Sequence, residues 1–87
     1  MSDESPLEFP CDIPIKVFGR NEDRFRGVVL DIVRRHFSTL DTESVVERSS
    51  RADNYLSMTV TVNALTRAQI DACYRELTAH EQVMMVL

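Results

Sequence analysis

Two imidazoles, His36 and His80, and two thiols, Cys11 and Cys73, are the side chains best suited to proton transfer or nucleophilic attack near neutral pH. Their spacing assembles no mechanism. No nucleophile stands at a fixed short distance in sequence from either histidine, and the cysteines form no Cys-x-x-Cys pair of the kind that zinc or redox work needs. The chain is therefore not expected to be an enzyme, and no metal or cofactor is implied. His36 reads better as a helix C-terminal residue, where positive charge is favourable, and His80 as part of a turn. Both cysteines read as reduced, small apolar side chains.

Arginine offers a different chemistry. Arg20, Arg24, Arg26, Arg34 and Arg35 crowd one stretch, whereas Lys16 is the chain's only lysine. A guanidinium grips a carboxylate through two parallel hydrogen bonds, which an ammonium cannot do. Arg24, Arg34 and Arg35 are thus the main candidates for docking an acidic partner or a carboxylate ligand, set against the plainer reading of a solvated helix face.

The elements that must position these groups follow from hydrophobic period. Leu56, Met58, Val60 and Val62 alternate with Tyr55, Ser57, Thr59 and Thr61, the mark of a half-buried strand that needs an apolar layer on one face only. Ile13, Ile15 and Val17 predict a first strand over 13–18, with Pro14 near its start and Gly19 turning the chain out of it. Asn21 is the expected N-cap of a helix over 22–37, whose stripe is Phe25, Val28, Val29, Ile32, Val33 and Phe37. Gly27 costs that helix about 1 kcal/mol relative to Ala, and close packing on the sheet is the expected reason to keep it. A polar edge strand over Thr42–Arg48 and a turn at 49–54 complete a hairpin with the strand at 55. Thr66 and Gln69 form a capping box for a second helix with Ile70, Cys73, Tyr74 and Leu77 inward. The run 82–87 is apolar on both faces and reads as a last strand.

Strand, helix, strand, strand, helix, strand is the order of the ferredoxin-like split βαβ arrangement, an α+β fold with a four-stranded antiparallel sheet and two helices on one face. Right-handed crossovers place the first and third strands at the centre. The other face stays open, with Lys16, Phe18, Tyr55, Ser57, Thr59 and Thr61 on it. With 87 residues there is room for one core, so a single domain over 12–87 is expected after an N-terminal tail of 1–11, in which Leu7 and Phe9 are fit to dock.

Composition bounds the partners. A hydrophobic fraction of 44%, a charged fraction of 28%, two Gly and three Pro describe a globular domain. Net charge is −4, which argues against general affinity for nucleic acid or anionic membrane. No apolar run is long enough to cross a bilayer and the acidic start is unlike a signal leader, so a cytoplasmic setting is expected.

Several stretches together, namely Leu7-Glu8-Phe9-Pro10, Lys16-Val17-Phe18-Gly19, Ser49-Ser50 to Asn54-Tyr55, Thr61-Val62-Asn63-Ala64 and Met85-Val86-Leu87, resemble the YbeD-like family of small uncharacterised bacterial proteins. The resemblance spans nearly the whole chain and implies a ferredoxin-like fold akin to ACT-type regulatory domains. It brings no catalytic residues. ACT-type domains bind small effectors at the turn that corresponds to Gly19-Arg20-Asn21-Glu22-Asp23, often across a subunit interface. Here the Pro-Gly of many amino-acid-binding members is absent, and Glu22 and Asp23 would repel an anion.

The expected function is a small non-enzymatic regulatory or protein-interaction module whose partner is another protein or a small effector bound in ACT-like fashion. Gly19, Arg20, Asn21, Arg24, Arg34 and Arg35 are the candidate binding residues, with Phe18 and Tyr55 on the open sheet face. The alternative is RNA binding by that face, since aromatics there stack bases in related folds. The basic-aromatic consensus is missing and the chain is acidic, so nucleic acid is not the expected partner. Edge strands at 42–48 and 83–87 favour self-association, and a homodimer is expected.

Overall fold

A computed structural model describes residues 8–87. Four strands and two helices follow in the order β1 (Cys11–Arg20), α1 (Asp23–His36), β2 (Val46–Ser49), β3 (Tyr55–Ala64), α2 (Arg67–Ala79) and β4 (Val83–Val86). All strand pairs are antiparallel and the sheet order is β2-β3-β1-β4, the split βαβ topology with β1 and β3 central. The two central strands pair along their whole length, Cys11 opposite Ala64 and Arg20 opposite Tyr55.

The core follows from the alternation. Ile15 and Val17 of β1 and Leu56, Met58, Val60, Val62 and Ala64 of β3 point to one side. Phe25, Val29, Ile32 and Val33 of α1 and Ile70, Cys73 and Leu77 of α2 close over them in a single cluster. Each aliphatic or aromatic side chain so buried stabilises the fold by about 1.5–3 kcal/mol. The domain thus needs no polar residue in its interior, and none of the described residues is a buried polar one.

Thr66 caps α2 as its sequence dictates. Its Oγ1 accepts from the Gln69 amide at 3.2 Å, and Gln69 Oε1 accepts in return from the Leu65 amide at 2.8 Å. Gln69 Nε2 also donates to the His36 carbonyl at 2.7 Å, so one side chain starts α2 and closes the end of α1.

Elsewhere local expectation and structure part. Asn21 does not cap α1. Glu22 takes that position without a side-chain bond, because Asn21 is drawn to the hairpin: its Nδ2 donates to the Asp53 carbonyl and its backbone N–H to the Asn54 carbonyl, both at 3.0 Å. Gly19 does not end β1, which runs on to Arg20, and neither glycine has a positive φ. The buried Gly19 instead leaves space for the Phe25 ring. Gly27 has nothing within 4 Å of where a Cβ would stand, so it faces solvent and not the sheet. Residues Thr42–Ser44 form a 3₁₀ turn in place of the strand's first half, because Asp41 accepts from the Glu43 amide at 3.0 Å and bends the chain. Phe9 packs half-buried against the core, while Leu7 and most of the expected tail lie outside the described residues.

Candidate functional site

The face of the sheet turned away from the helices can be read as three rows. Strand register places Val46, Thr59 and Lys16 in the first, where Lys16 also exchanges both backbone hydrogen bonds with Leu87. Arg48, Ser57, Phe18 and Met85 form the second, and Tyr55 stands opposite Arg20 in the third. Register shifts between Phe18 and Gly19, so Val83 pairs with Gly19 while Met85 pairs with Phe18. Met84 is the extra residue of this bulge. Because a bulge interrupts strict alternation, both methionines stand in solvent, at 62% and 48% exposure.

Phe18, Gly19, Tyr55, Met84 and Met85 line an apolar depression of about 350 Å³. A smaller one, about 170 Å³, adjoins it between Phe18, Tyr55, Arg48 and Ser57. Lys16 Nζ stands 5.8 Å from the Phe18 ring centre, a cation over an aromatic face. Of the two aromatics placed here from sequence, Tyr55 is the more open, at 45% exposure. The charged residues that the open face contributes are Lys16, Arg20 and Arg48 around the depression, and Asp12 at the far end, where Asp12 accepts from Asn63 at 2.9 Å.

The β1–α1 turn is held rather than loose. Asn21 bridges it to the β2–β3 hairpin and accepts from Arg26 at 2.9 Å, and Arg26 also meets Glu47 at 3.0 Å and Asp23 at 3.4 Å. Arg20 and Met84 share a concavity of about 350 Å³ with Glu22, Glu81 and Gln82. Gly19, filled by the Phe25 ring, offers a ligand no room from inside.

The arginines grouped on α1 do not act alike. Arg35 lies 2.5 Å from Glu76, whose other oxygen is 2.7 Å from His36 Nε2. Arg24 and Arg34 remain exposed, and Arg34 and Arg35 form a shallow recess with Asp31. The helix face therefore mixes both signs. Sequence reading missed Glu76 as the tie between helices and missed Arg48 and Met84 as members of the open face. The apolar run at 83–87 was a visible signal, but the register shift that exposes both methionines was not.

Burial, with the Glu76 carboxylate as second cause, pushes the Cys73 thiol from 9.0 up to about 11. A protonated, enclosed thiol is a poor nucleophile. His80 caps α2 and accepts through Nδ1 from the Gln82 amide at 3.1 Å. Among the described residues, no three His, Cys, Asp or Glu side chains gather as a metal site would require, and no helix is long and apolar enough to cross a membrane.

The architecture is that of an ACT-like domain. The ACT domain from GTP pyrophosphokinase of Chlorobium tepidum superposes with a TM-score of 0.68 over 87% of this chain and 94% of that one, at 9% identity, a likeness of fold alone. Its solution structure gives 0.65 over 87% and 84%. In sequence, residues 4–87 match the family described as a protein of unknown function, DUF493, and the chain belongs to that family, the YbeD-like group. A UPF0250 protein of Paraburkholderia phymatum is 43% identical over 84 residues, 97% of this chain and 94% of that protein. One from Nitrosomonas europaea is 41% identical over the whole of both chains.

Proposed function

We propose that this protein is a non-enzymatic regulatory module that docks another protein on the open face of its sheet. One observation carries the reading: Phe18, Tyr55, Met84 and Met85 enclose an apolar depression on the face that both helices leave bare. Apolar surface gathered in this way marks interaction sites, and paired methionines adapt their shape to a partner at little cost. The protonated Cys73, the engagement of His36 with Glu76 and the capping role of His80 fit a role in binding and not in turnover. Two free thiols suit a reducing cytoplasm.

Replacing Tyr55→Ser together with Met85→Ser tests the docking surface. The double variant should stay folded, since both residues are exposed, and should lose partners that the wild type retains from native extract; an unchanged set of partners contradicts the reading. Arg20, exposed and lining the concavity with Glu22, Glu81 and Gln82, favours a second reading, a small effector at the β1–α1 turn. A rise in thermal midpoint with an amino acid or other carboxylate, abolished by Arg20→Ala, would favour that one. The outer edge of β4 also offers pairing to a second copy, and sedimentation of only a 10.0 kDa species at high concentration would exclude a stable homodimer.

A further inference from the structure

We infer that the segment recognised by the open face is an acidic amphipathic helix, with apolar anchors for the depression and carboxylates for Lys16 and Arg48. This deepens the docking reading and rests on it. The inference comes from charge placement. The chain carries 14 acidic against 10 basic residues, yet each of the three rows around the depression holds one cationic side chain and no acidic side chain: Lys16, Arg48 and Arg20. Asp12, the single acidic side chain that the strands turn to this side, is six residues from Phe18 along β1 and bonded to Asn63. At about 3.3 Å per residue that is roughly 20 Å away.

Arg20 shares its concavity with Glu22 and Glu81, so its charge is offset at the end of the sheet. Lys16 and Arg48 have no acidic partner among the described residues and flank Phe18 on the Thr59–Ser57 side. A helix seated in the depression by apolar residues at i, i+3 and i+4 would bring acidic residues on its flank over these two cations. Nucleic acid fits less well. Only Tyr55 offers an open ring, the Phe18 ring lies under the Lys16 ammonium, and Met84, Met85, Val46 and Leu87 make the rest of the exposed apolar surface aliphatic.

Binding of fluorescent peptides to the whole protein tests this. One amphipathic helical peptide carries Leu and Phe anchors flanked by Glu; a second has every Glu replaced by Lys; a third keeps Glu but has Ser at the anchors. Single-stranded oligouridine is the fourth probe. The first peptide should bind about tenfold or more tightly than the others and weaken with salt. Lys16→Glu with Arg48→Glu should cost it about tenfold or more, the milder Lys16→Gln with Arg48→Gln less, and Arg24→Glu with Arg34→Glu on the helix side nothing. Circular dichroism confirms that each variant is folded, and the Gln pair serves if the Glu pair is not.

Equal binding of the Lys peptide, with sensitivity to Tyr55→Ser and Met85→Ser retained, overturns the acidic preference and leaves the docking surface standing. Indifference to that serine pair overturns both. Tighter binding of oligouridine, or no binding of the first peptide, likewise rejects the inference.

Discussion

A Cβ on Gly19 would collide with the Phe25 ring and come within 2.8 Å of the Gln82 carbonyl oxygen, whereas one on Gly27 would meet nothing. Gly19→Ala should therefore destabilise by about 1–3 kcal/mol through overpacking. Gly27→Ala should stabilise by about 0.5–1 kcal/mol, because alanine restricts the unfolded chain and suits an exposed helix interior. Urea unfolding of both variants checks the opposite signs. The two glycines look alike in sequence, each breaking an apolar pattern; only the ring brought back over β1 by α1 tells them apart. Cys73 yields a further test. Its folded pKa of about 11 lies above the ordinary 9.0, so folding holds a proton that the unfolded chain releases. That stabilisation is fully present below pH 9 and is lost as pH rises toward 11, on the order of 3 kcal/mol in all. Tyr74, raised by burial first and by Cys73 second, adds in the same direction. Cys73→Ala should lower stability at neutral pH but flatten its fall above pH 9, as read by denaturation at a series of alkaline pH values.

Period carries the elements, and partners decide their ends. The Thr66–Gln69 capping box was legible because all its atoms lie within one turn; that Gln69 also reaches the His36 carbonyl was not. Asn21 resembles a cap equally well, yet the hairpin carbonyls of Asp53 and Asn54 claim it across the fold. In the same way Asp41 converts the polar run at 42–44 into a 3₁₀ turn by a bond that a strand pattern does not reveal. Gln69→Ala removes bonds at two helix ends and should cost about 1–2 kcal/mol, measured by thermal or urea unfolding. For the strands the contrast is starker. Val60 is fully buried and Thr59 beside it faces the open side, so Val60→Asp should abolish folding while Thr59→Asp leaves a cooperative transition. Equal losses would mean that the face carrying Thr59 is covered.

At the scale of the molecule, an acidic chain presents a sheet face whose charges near the apolar depression are basic, and this contrast is the centre of the functional account. The sequence showed that such a face exists, through Phe18 and Tyr55 on two neighbouring strands. It did not show how far the face extends, because Arg48 joins it through the register of β2 and Met84 through a bulge in β4. The first-helix arginines were the more visible cluster in one dimension, but Asp23, Glu47 and Glu76 engage two of them. Methionine methyl resonances separate the open face from the core directly. Met58 is fully buried and Met84 and Met85 are exposed, so a sample labelled at methionine methyl carbons reports both places at once. When the labelled protein is placed in native cell extract, the Met84 and Met85 signals should shift or broaden while that of Met58 holds its position. Unchanged Met84 and Met85 signals, in an extract where the protein demonstrably enters a larger complex, would contradict docking on the open sheet face.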